Sequence, residues 1–194
     1  MNAPILLLDM DDVMNMQVDV VLEEVQKRTH IAIDKEAMTQ WDLRALVPAP
    51  ALTVMQELWN RKGFYRHLPP QAGAIEGTHR LMEHYQVYFV TAAFKNAMED
   101  KFEWLEDHFP GVPIEQHFIP THAKGLLYGD IIIDDGPHNI MNSRASRKII
   151  FDQPWNRSIL GTNVQRVHDW QEITDLLLQD SSSISLSKNN GIVV

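Results

Sequence analysis

Short runs of apolar residues that end in polar side chains divide the chain into strand-like segments. The first run is Ile5–Leu8, which is followed at once by Asp9 and Asp11. A continuous apolar run of this length is typical of a strand buried on both faces, as in a parallel sheet. The remaining strand-like segments lie at about 87–91, 116–120, 130–136 and 148–152. The pattern therefore predicts a parallel sheet of about five strands.

Between these runs, apolar residues recur at the spacing of three and four that is typical of amphipathic helices. The predicted helices lie at about 17–29, 35–42, 51–62, 73–84 and 98–109, with a last one starting at Asp169. Asp34 is a suitable N-cap for the second helix, and Gly63 a suitable C-terminal signal for the third. Strands that alternate with helices predict a doubly wound α/β domain.

The first three helices follow the first strand with no strand-like run between them. They predict a small helical cap at residues 15–69, inserted into an α/β core of residues 1–14 and 70–180. The alternative is that these helices simply cover one face of the sheet. The serine-rich residues 181–194 predict a flexible tail.

Composition limits the classes of function. The chain has 194 residues, a net charge of −9 and no cysteine. Binding to long nucleic acid depends on neutralising phosphates with Lys and Arg, so an acidic chain favours a small-molecule partner. No apolar run approaches the ~20 residues that span a bilayer, and the N-terminus lacks the basic region of a secretory signal. We therefore expect a cytoplasmic protein with no membrane contact.

Polar side chains with catalytic chemistry follow several of the predicted strands. They are Asp9, Asp11, Thr91, Lys124, Asp134 and Asp135. Parallel strands with right-handed crossovers bring their carboxyl ends to one edge of the sheet, where ligands of α/β proteins bind. Clustered carboxylates repel one another and favour a hard cation with oxygen ligands, most simply Mg²⁺.

Such an edge would attract a phosphate ester through the cation. Asp9 would attack phosphorus and form an aspartyl-phosphate. Asp11 would protonate the leaving oxygen and later deprotonate the attacking water. Thr91 would hydrogen-bond a phosphoryl oxygen, and Lys124 would balance the charge of the transition state.

Other site types lack their motifs. The sequence has no GxGxxG after a strand, no GxxxxGK[ST] and no HExxH, so nicotinamide, P-loop and zinc-protease sites are unsupported. The nine histidines are scattered. A response-regulator receiver also uses Asp, Thr and Lys around Mg²⁺, but its phosphorylated Asp lies in mid-chain and its Lys comes last.

The order and strand context of these residues resemble the haloacid dehalogenase (HAD) superfamily of phosphatases. Asp9-Met10-Asp11 is similar to its first motif, Thr91 to the second, Lys124 to the third and Asp134-Asp135 to the fourth. More narrowly, the chain resembles the 5′(3′)-deoxyribonucleotidases over about residues 4–178. The stretches that carry this resemblance are Leu8–Asp11, Gly63–Pro70, Phe89–Ala93, Ile132–Asp135 and Ile150–Asn156.

The resemblance implies a Mg²⁺ site and a nucleotide site. Mg²⁺ would be bound directly by Asp9, the backbone carbonyl of Asp11 and Asp135. Asp134 would interact with the ion through a water molecule or through one of these ligands. The cap would close over base and sugar. The implied substrate-binding residues are Thr91, Ala92, Lys124, Trp41, Phe64 and Tyr65, although packing within the cap is an equal expectation for the three aromatic residues. A homodimer is left open.

Two positions depart from the family pattern. Asp12 stands where the family usually has Gly, and Asp tolerates the left-handed backbone of such a turn better than most residues. Gln17 stands where the family often has an aromatic residue that stacks on the base, so the resemblance does not determine which phosphate ester is the substrate. The alternatives are a HAD phosphatase for another small phosphate ester and a non-catalytic HAD-like binding protein.

Overall fold

A computed structural model describes residues 3–92, 95–161 and 163–189, without the side chains of Ala45, Asn96 and residues 180–189. Its centre is a sheet of six parallel strands in the order β3-β2-β1-β4-β5-β6. The strands are β1 (Ile5–Leu8), β2 (Gln86–Thr91), β3 (Phe118–Pro120), β4 (Ile131–Asp134), β5 (Arg147–Phe151) and β6 (Val164–Val167). The predicted doubly wound α/β class is thus confirmed.

The strand prediction was wrong in two places. β6 was missed because Gln165 and Arg166 interrupt the apolar pattern, as is common in a strand paired on one side only. The third strand was placed too early, because residues 114–117 form a short helix before Phe118 enters the sheet. The count is therefore six strands and not about five.

Seven helices occupy the described residues. They are α1 (Gln17–Thr29), α2 (Ala49–Asn60), α3 (Ala74–Met82), α4 (Lys95–His108), α5 (Ile114–His117), α6 (Pro137–Asn142) and α7 (Trp170–Asn189). α1 matches its prediction. The predicted helix at 35–42 is only a 3₁₀ turn, Lys35–Ala37, in which the Asp34 carboxylate accepts from the backbone N–H of Glu36 at 3.0 Å.

Two further helix ends differ from the prediction. α2 ends at Asn60, three residues before Gly63, whose φ is +83°. Part of the predicted flexible tail, residues 181–189, continues the backbone of α7, and residues 190–194 lie outside the described part of the chain. None of the described helices combines the length and hydrophobicity of a membrane-spanning segment.

Side chains of β1 alternate between two separate apolar layers. Leu6 and Leu8 point into the larger layer, which also holds Trp104 of α4 and Trp170 of α7. Leu7 points into the opposite layer with neighbours from β2, β4, β5 and α6. All three leucines are at most 2% exposed. Burial on both faces explains why β1 reads as a continuous apolar run.

Residues 15–69, here called the helical insertion, have an apolar cluster of their own. α1 and α2 pack together in this cluster, which also receives Ala97 from α4. Asp100 of α4 accepts from the backbone N–H groups of Gly63 at 2.9 Å and Tyr65 at 3.3 Å. The Trp104 indole donates to the Leu68 carbonyl at 2.8 Å. α4 therefore fixes the return of the insertion to the sheet.

Contact between α3 and α7 depends on Gly77. A Cβ atom at Gly77 would lie 2.7 Å from Cε3 of Trp170 and 3.1 Å from Cγ2 of Thr174. Overpacking in Gly77→Ala should cost about 1–3 kcal/mol, because the ring cannot move without disturbing the core. Ala returns at most about 1 kcal/mol within a helix, so the net change should be destabilising, by up to about 2 kcal/mol.

Urea unfolding checks this expectation. Gly161→Ala is the control, since its new Cβ would meet no atom closer than 4.0 Å, and its stability should stay within about 0.5 kcal/mol of wild type. A Gly77→Ala protein as stable as Gly161→Ala would contradict the packing described for α3 and α7.

Candidate active site

Asp9 follows β1 at the carboxyl edge of the sheet. Its backbone N–H still donates to the Ile133 carbonyl at 3.0 Å, which continues the ladder between β1 and β4. The chain then turns sharply, with the N–H of Met14 donating to the Met10 carbonyl at 2.8 Å. Asp9 is 7% exposed. The turn thus presents this carboxylate at the edge while keeping it almost out of water.

Lys124 joins two of the carboxylates. Its Nζ lies 2.7 Å from Oδ1 of Asp9 and 2.7 Å from Oδ2 of Asp134. Lys124 opens a 3₁₀ turn after β3, and its side chain is buried. Burial by itself lowers the pKa of Lys124, but the charges of Asp134 and Asp9 outweigh that effect and raise it. The ammonium group therefore stays charged inside the protein.

Three buried carboxylates meet beside this lysine. Asp9, Asp134 and Asp135 each place an oxygen within 4.8 Å of the others. Burial, reinforced by the charge of Asp134, raises the pKa of Asp9 to about 6. Burial, reinforced by the charge of Asp9, likewise raises the pKa of Asp135 well above its ordinary value. One ammonium group does not balance three carboxylates, so the cluster fits a divalent cation with oxygen ligands.

The three carboxylates differ in their protein partners. Asp134 is held by Lys124, by the backbone N–H of Gly136 at 2.7 Å and by Nδ2 of Asn139 at 2.9 Å. Asp135 accepts from Nε1 of Trp155 at 2.9 Å. The oxygens of Asp134 are thus engaged by protein donors, which leaves Asp9 and Asp135 as the better direct ligands for a cation.

A second buried lysine, Lys101 of α4, holds the other predicted groups together. Its Nζ forms a short ion pair with Asp11 and donates to Oγ1 of Thr91 at 2.7 Å and to the Ala92 carbonyl at 3.0 Å. The same ammonium lies 4.6 Å from the centre of the Tyr65 ring. Asp11, Thr91, Ala92 and Tyr65 therefore surround one cation.

Sequence reasoning missed Lys101 because α4 was interpreted only as a helix that packs aromatic residues. A signal was available, since Ala97, Lys101, Trp104 and Leu105 follow the spacing of one helix face. All four are at most 2% exposed. A lysine on an apolar face needs a partner, and that need points to a nearby carboxylate.

A cavity of about 500 Å³ separates the helical insertion from the carboxylates, a size typical of small-molecule sites. Its wall includes Asp9, Lys124, Tyr65, Ala92 and the half-exposed Trp41. The insertion adds neutral amide and apolar side chains to this wall, namely Gln17, Val18, Met38, Gln40, Leu43, Leu52, Gln56 and Trp59.

Phe64 does not belong to the described lining of this cavity. It is 3% exposed, packs in the cluster of the helical insertion and meets Tyr65 edge-on at 5.1 Å. Phe64 thus lies in the packing of the insertion, which was the alternative expectation from the sequence, and its contact with substrate stays a prediction. Thr91 is also fully buried, with its oxygen facing Lys101.

Both unusual positions support the junction with the helical insertion. Asp12 has a φ of +55°, and its carboxylate accepts from the backbone N–H of Val18 in the first turn of α1 at 2.8 Å. Burial raises the pKa of Asp12 to about 8. Gln17 lines the cavity and donates from Nε2 to the Tyr65 hydroxyl at 3.1 Å. Asp12 therefore keeps the left-handed turn and also caps α1.

Replacing Asp12 should change how stability depends on pH in the metal-free protein. The pKa of Asp12 is about 8 in the folded protein, above the ordinary 3.8. Ionisation of Asp12 therefore lowers the free energy of unfolding as pH rises from about 4 to about 8. Asp12→Asn stays neutral and can still accept from Val18. It should be more stable than wild type by more than about 1 kcal/mol near pH 9, and the gain should shrink towards pH 5.

Urea unfolding in EDTA at about pH 5 and about pH 9 measures this difference. Asp175→Asn, which changes an exposed carboxylate on α7, controls for the change of net charge. A stability difference between Asp12→Asn and wild type that is the same at both pH values would refute the assignment.

Comparison with known proteins agrees with this geometry. Residues 3–182 match the family described as "5' nucleotidase, deoxy (Pyrimidine), cytosolic type C protein". A Clostridium acetobutylicum protein named 5'(3')-deoxyribonucleotidase is 31% identical over 175 residues, which cover 89% of this chain and 93% of that protein. A Bacillus subtilis protein of the same name is 38% identical over 124 residues, 59% of this chain and 70% of that protein.

Solved structures share the fold at low identity. A haloacid dehalogenase-like protein from Agrobacterium tumefaciens has a TM-score of 0.59 at 11% identity, over 93% of this chain and all of that chain. A HAD hydrolase from Bacillus subtilis, solved with bound magnesium, has a TM-score of 0.56 at 12% identity, over 91% and 99% of the two chains. The resemblance stated from the sequence is confirmed, and the chain belongs to the cytosolic type C deoxy(pyrimidine) 5′-nucleotidase family.

Proposed function

We propose that the protein is a Mg²⁺-dependent phosphomonoesterase that hydrolyses deoxyribonucleoside monophosphates through an aspartyl-phosphate on Asp9. The observation that carries this proposal is the buried cluster of Asp9, Asp134 and Asp135 around Lys124, which opens into the cavity below the helical insertion. The family name and its "cytosolic type" support the substrate class and a cytoplasmic location.

The residues present fit a magnesium ion. The ion would be held by Asp9, Asp135 and the backbone carbonyl of Asp11. Asp134 would not bind it directly but would hold Lys124 in place beside Asp9. When bound, the ion supplies a positive centre that accepts a phosphate oxygen and offsets the charge of the carboxylates. This makes the site attractive to a phosphate dianion.

The chain's own groups would then carry the reaction. Asp9 attacks phosphorus, while Lys124, 2.7 Å away, balances the charge that develops on the phosphoryl group. The fully buried Thr91 oxygen accepts from Lys101, and its O–H would donate to a phosphoryl oxygen that reaches the floor of the cavity beside Ala92. Asp11, with 21% of its side chain exposed, would enter the reaction protonated and give its proton to the leaving alcohol as the ester P–O bond breaks. Its carboxylate would then take a proton from the water that attacks the aspartyl-phosphate, which releases phosphate and restores Asp9.

Residues 15–69 would act as a cap that recognises the nucleoside. Their side chains on the cavity wall are aromatic, aliphatic or amide apart from Asp42 and Arg44, which form an ion pair with each other. Such a wall suits an uncharged, flat leaving group better than a charged one. Trp41, which lies edge-on to His138 at 4.8 Å, is the aromatic surface best placed for a base.

A panel of 5′ and 3′ ribo- and deoxyribonucleoside monophosphates tests the proposal through phosphate release with Mg²⁺ and with EDTA. We expect turnover of deoxynucleotides that EDTA abolishes, and no turnover by Asp9→Asn with the fold intact. Turnover restricted to other phosphate esters would support the chemistry and overturn the substrate class. Substantial activity of Asp9→Asn would overturn the mechanism.

Lys101 gives a second prediction. Lys101→Met removes the cation that holds Asp11 and Thr91, so kcat should fall by about 10²-fold or more, with a smaller change in KM. Steady-state kinetics on the best substrate of the panel measures both constants. Lys62→Met, which removes an exposed ion pair with Glu99, is the control and should keep wild-type values. A kcat for Lys101→Met that equals the control would exclude Lys101 from the reaction.

A further inference from the structure

Residues 153–157, here called the 153–157 turn, hold Asp135 at two points. The Trp155 indole N–H donates to Oδ2 of the Asp135 carboxylate at 2.9 Å. Nδ2 of Asn156 donates to the backbone carbonyl of Asp135 at 2.9 Å. Asn156 is fully buried, and its amide also donates to the Phe151 carbonyl at 2.7 Å at the end of β5. Both the side chain and the main chain of this carboxylate are therefore set by one turn.

The indole that orients Asp135 is at the same time packed into the helical insertion. Trp155 is 5% exposed and forms an apolar cluster with Val18 and Met38. Its ring also lies edge-on to that of Trp41, with 6.4 Å between the ring centres. Its buried members differ from those of the main apolar cluster around α1 and α2, and the two clusters are joined by partly buried side chains that pack against both, namely Leu22, Ile33 and Leu43. The position of the Trp155 ring thus depends on residues of the insertion.

Two further contacts keep the turn and the insertion together. Nε2 of Gln153 donates at 2.9 Å to the backbone carbonyl of Asp12, where the chain passes from β1 into the insertion. The Arg157 guanidinium forms a short ion pair with Glu36 in the insertion and bonds Asp152 at 2.9 Å. A shift of the insertion relative to the sheet would therefore be transmitted to the 153–157 turn.

We propose that Trp155 is a positioning residue, which couples the packing of the helical insertion to the orientation of Asp135 as a magnesium ligand. The inference rests on the proposed function for the identity of the ion. Groups that hydrogen-bond a metal ligand fix its orientation, and their loss weakens metal binding. With Oδ2 of Asp135 accepting from the indole, Oδ1 would be the oxygen left for the ion. Because coupling is reciprocal, bound Mg²⁺ should in turn stabilise the packing of the helical insertion against Trp155.

Trp155→Phe tests the hydrogen bond, since it keeps an aromatic ring and removes the N–H donor. The dissociation constant for Mg²⁺ should rise about 10- to 100-fold. The probe is Mg²⁺ alone, titrated against the thermal unfolding midpoint, which reports binding without turnover. Tyr85→Phe is the matched control, because it also removes a buried aromatic donor, whose bond of 2.9 Å to the Leu177 carbonyl lies in the main core, away from the carboxylates and from the helical insertion. It should keep the wild-type affinity for Mg²⁺.

Met38→Ala tests the coupling, because it leaves every side chain that hydrogen-bonds Asp135 unchanged. Met38 and Met55 are both 1% exposed, but Met38 packs on Trp155 whereas Met55 packs in the main cluster of the insertion. Both substitutions to Ala should destabilise the protein. Only Met38→Ala should also raise the dissociation constant for Mg²⁺, by about fivefold or more.

The outcomes separate the possible failures. Equal Mg²⁺ affinities for Trp155→Phe and Tyr85→Phe would overturn the positioning role. Equal affinities for Met38→Ala and Met55→Ala would overturn the coupling to the insertion. A wild-type protein whose unfolding midpoint does not respond to Mg²⁺ would instead overturn the metal-dependent function on which the inference rests.

Discussion

Electrostatic repulsion among buried carboxylates is the constraint on which the site depends. Asp9, Asp134 and Asp135 lie within 4.8 Å of one another and are each at most 7% exposed. The cost of burying several like charges is large unless cations offset them. Lys124 supplies one positive charge between Asp9 and Asp134. Burial, together with the neighbouring carboxylates, still raises the pKa values of Asp9 and Asp135, so a further cation would stabilise their ionised forms. The same unbalanced charge makes the cluster fit a divalent ion and, through it, a phosphate group.

The parallel sheet is what makes such a concentration of charge achievable. β1 and β4 are adjacent strands, so Asp9 and the Asp134–Asp135 pair reach the carboxyl edge side by side. Helix α4 contributes the second lysine from the side, where Lys101 gathers Asp11 and Thr91. Each of the two buried lysines thus holds two of the predicted groups, and the cavity beneath the helical insertion reaches Lys124, Asp9 and Asp11. Fold and chemistry are linked through the strand order.

Much of this arrangement could be predicted from the sequence, and the failures have physical reasons. Buried strands and strand ends are encoded locally, so β1, β4 and the residues that follow them were found from apolar runs alone. β6 was missed because an edge strand need not be apolar, and the helix expected at 35–42 is a single turn capped by Asp34. The apolar helix face of Lys101 signalled a buried lysine, but its partners and those of Trp155 lie far away in the sequence, and no local pattern specifies them. Phe64 and Tyr65 are adjacent in sequence, yet only the packing of the insertion decides that Tyr65 faces the cavity.

Detection of phosphate on Asp9 tests the central claim most directly. The protein would be mixed with an excess of a deoxyribonucleoside monophosphate and Mg²⁺, quenched in acid within one turnover, and digested for mass spectrometry of the peptide that contains Asp9. The account predicts transient phosphate on Asp9 that forms only with Mg²⁺ and decays as free phosphate appears. Turnover that proceeds with no phosphate on this residue at any time, or with phosphate on another residue, would contradict it.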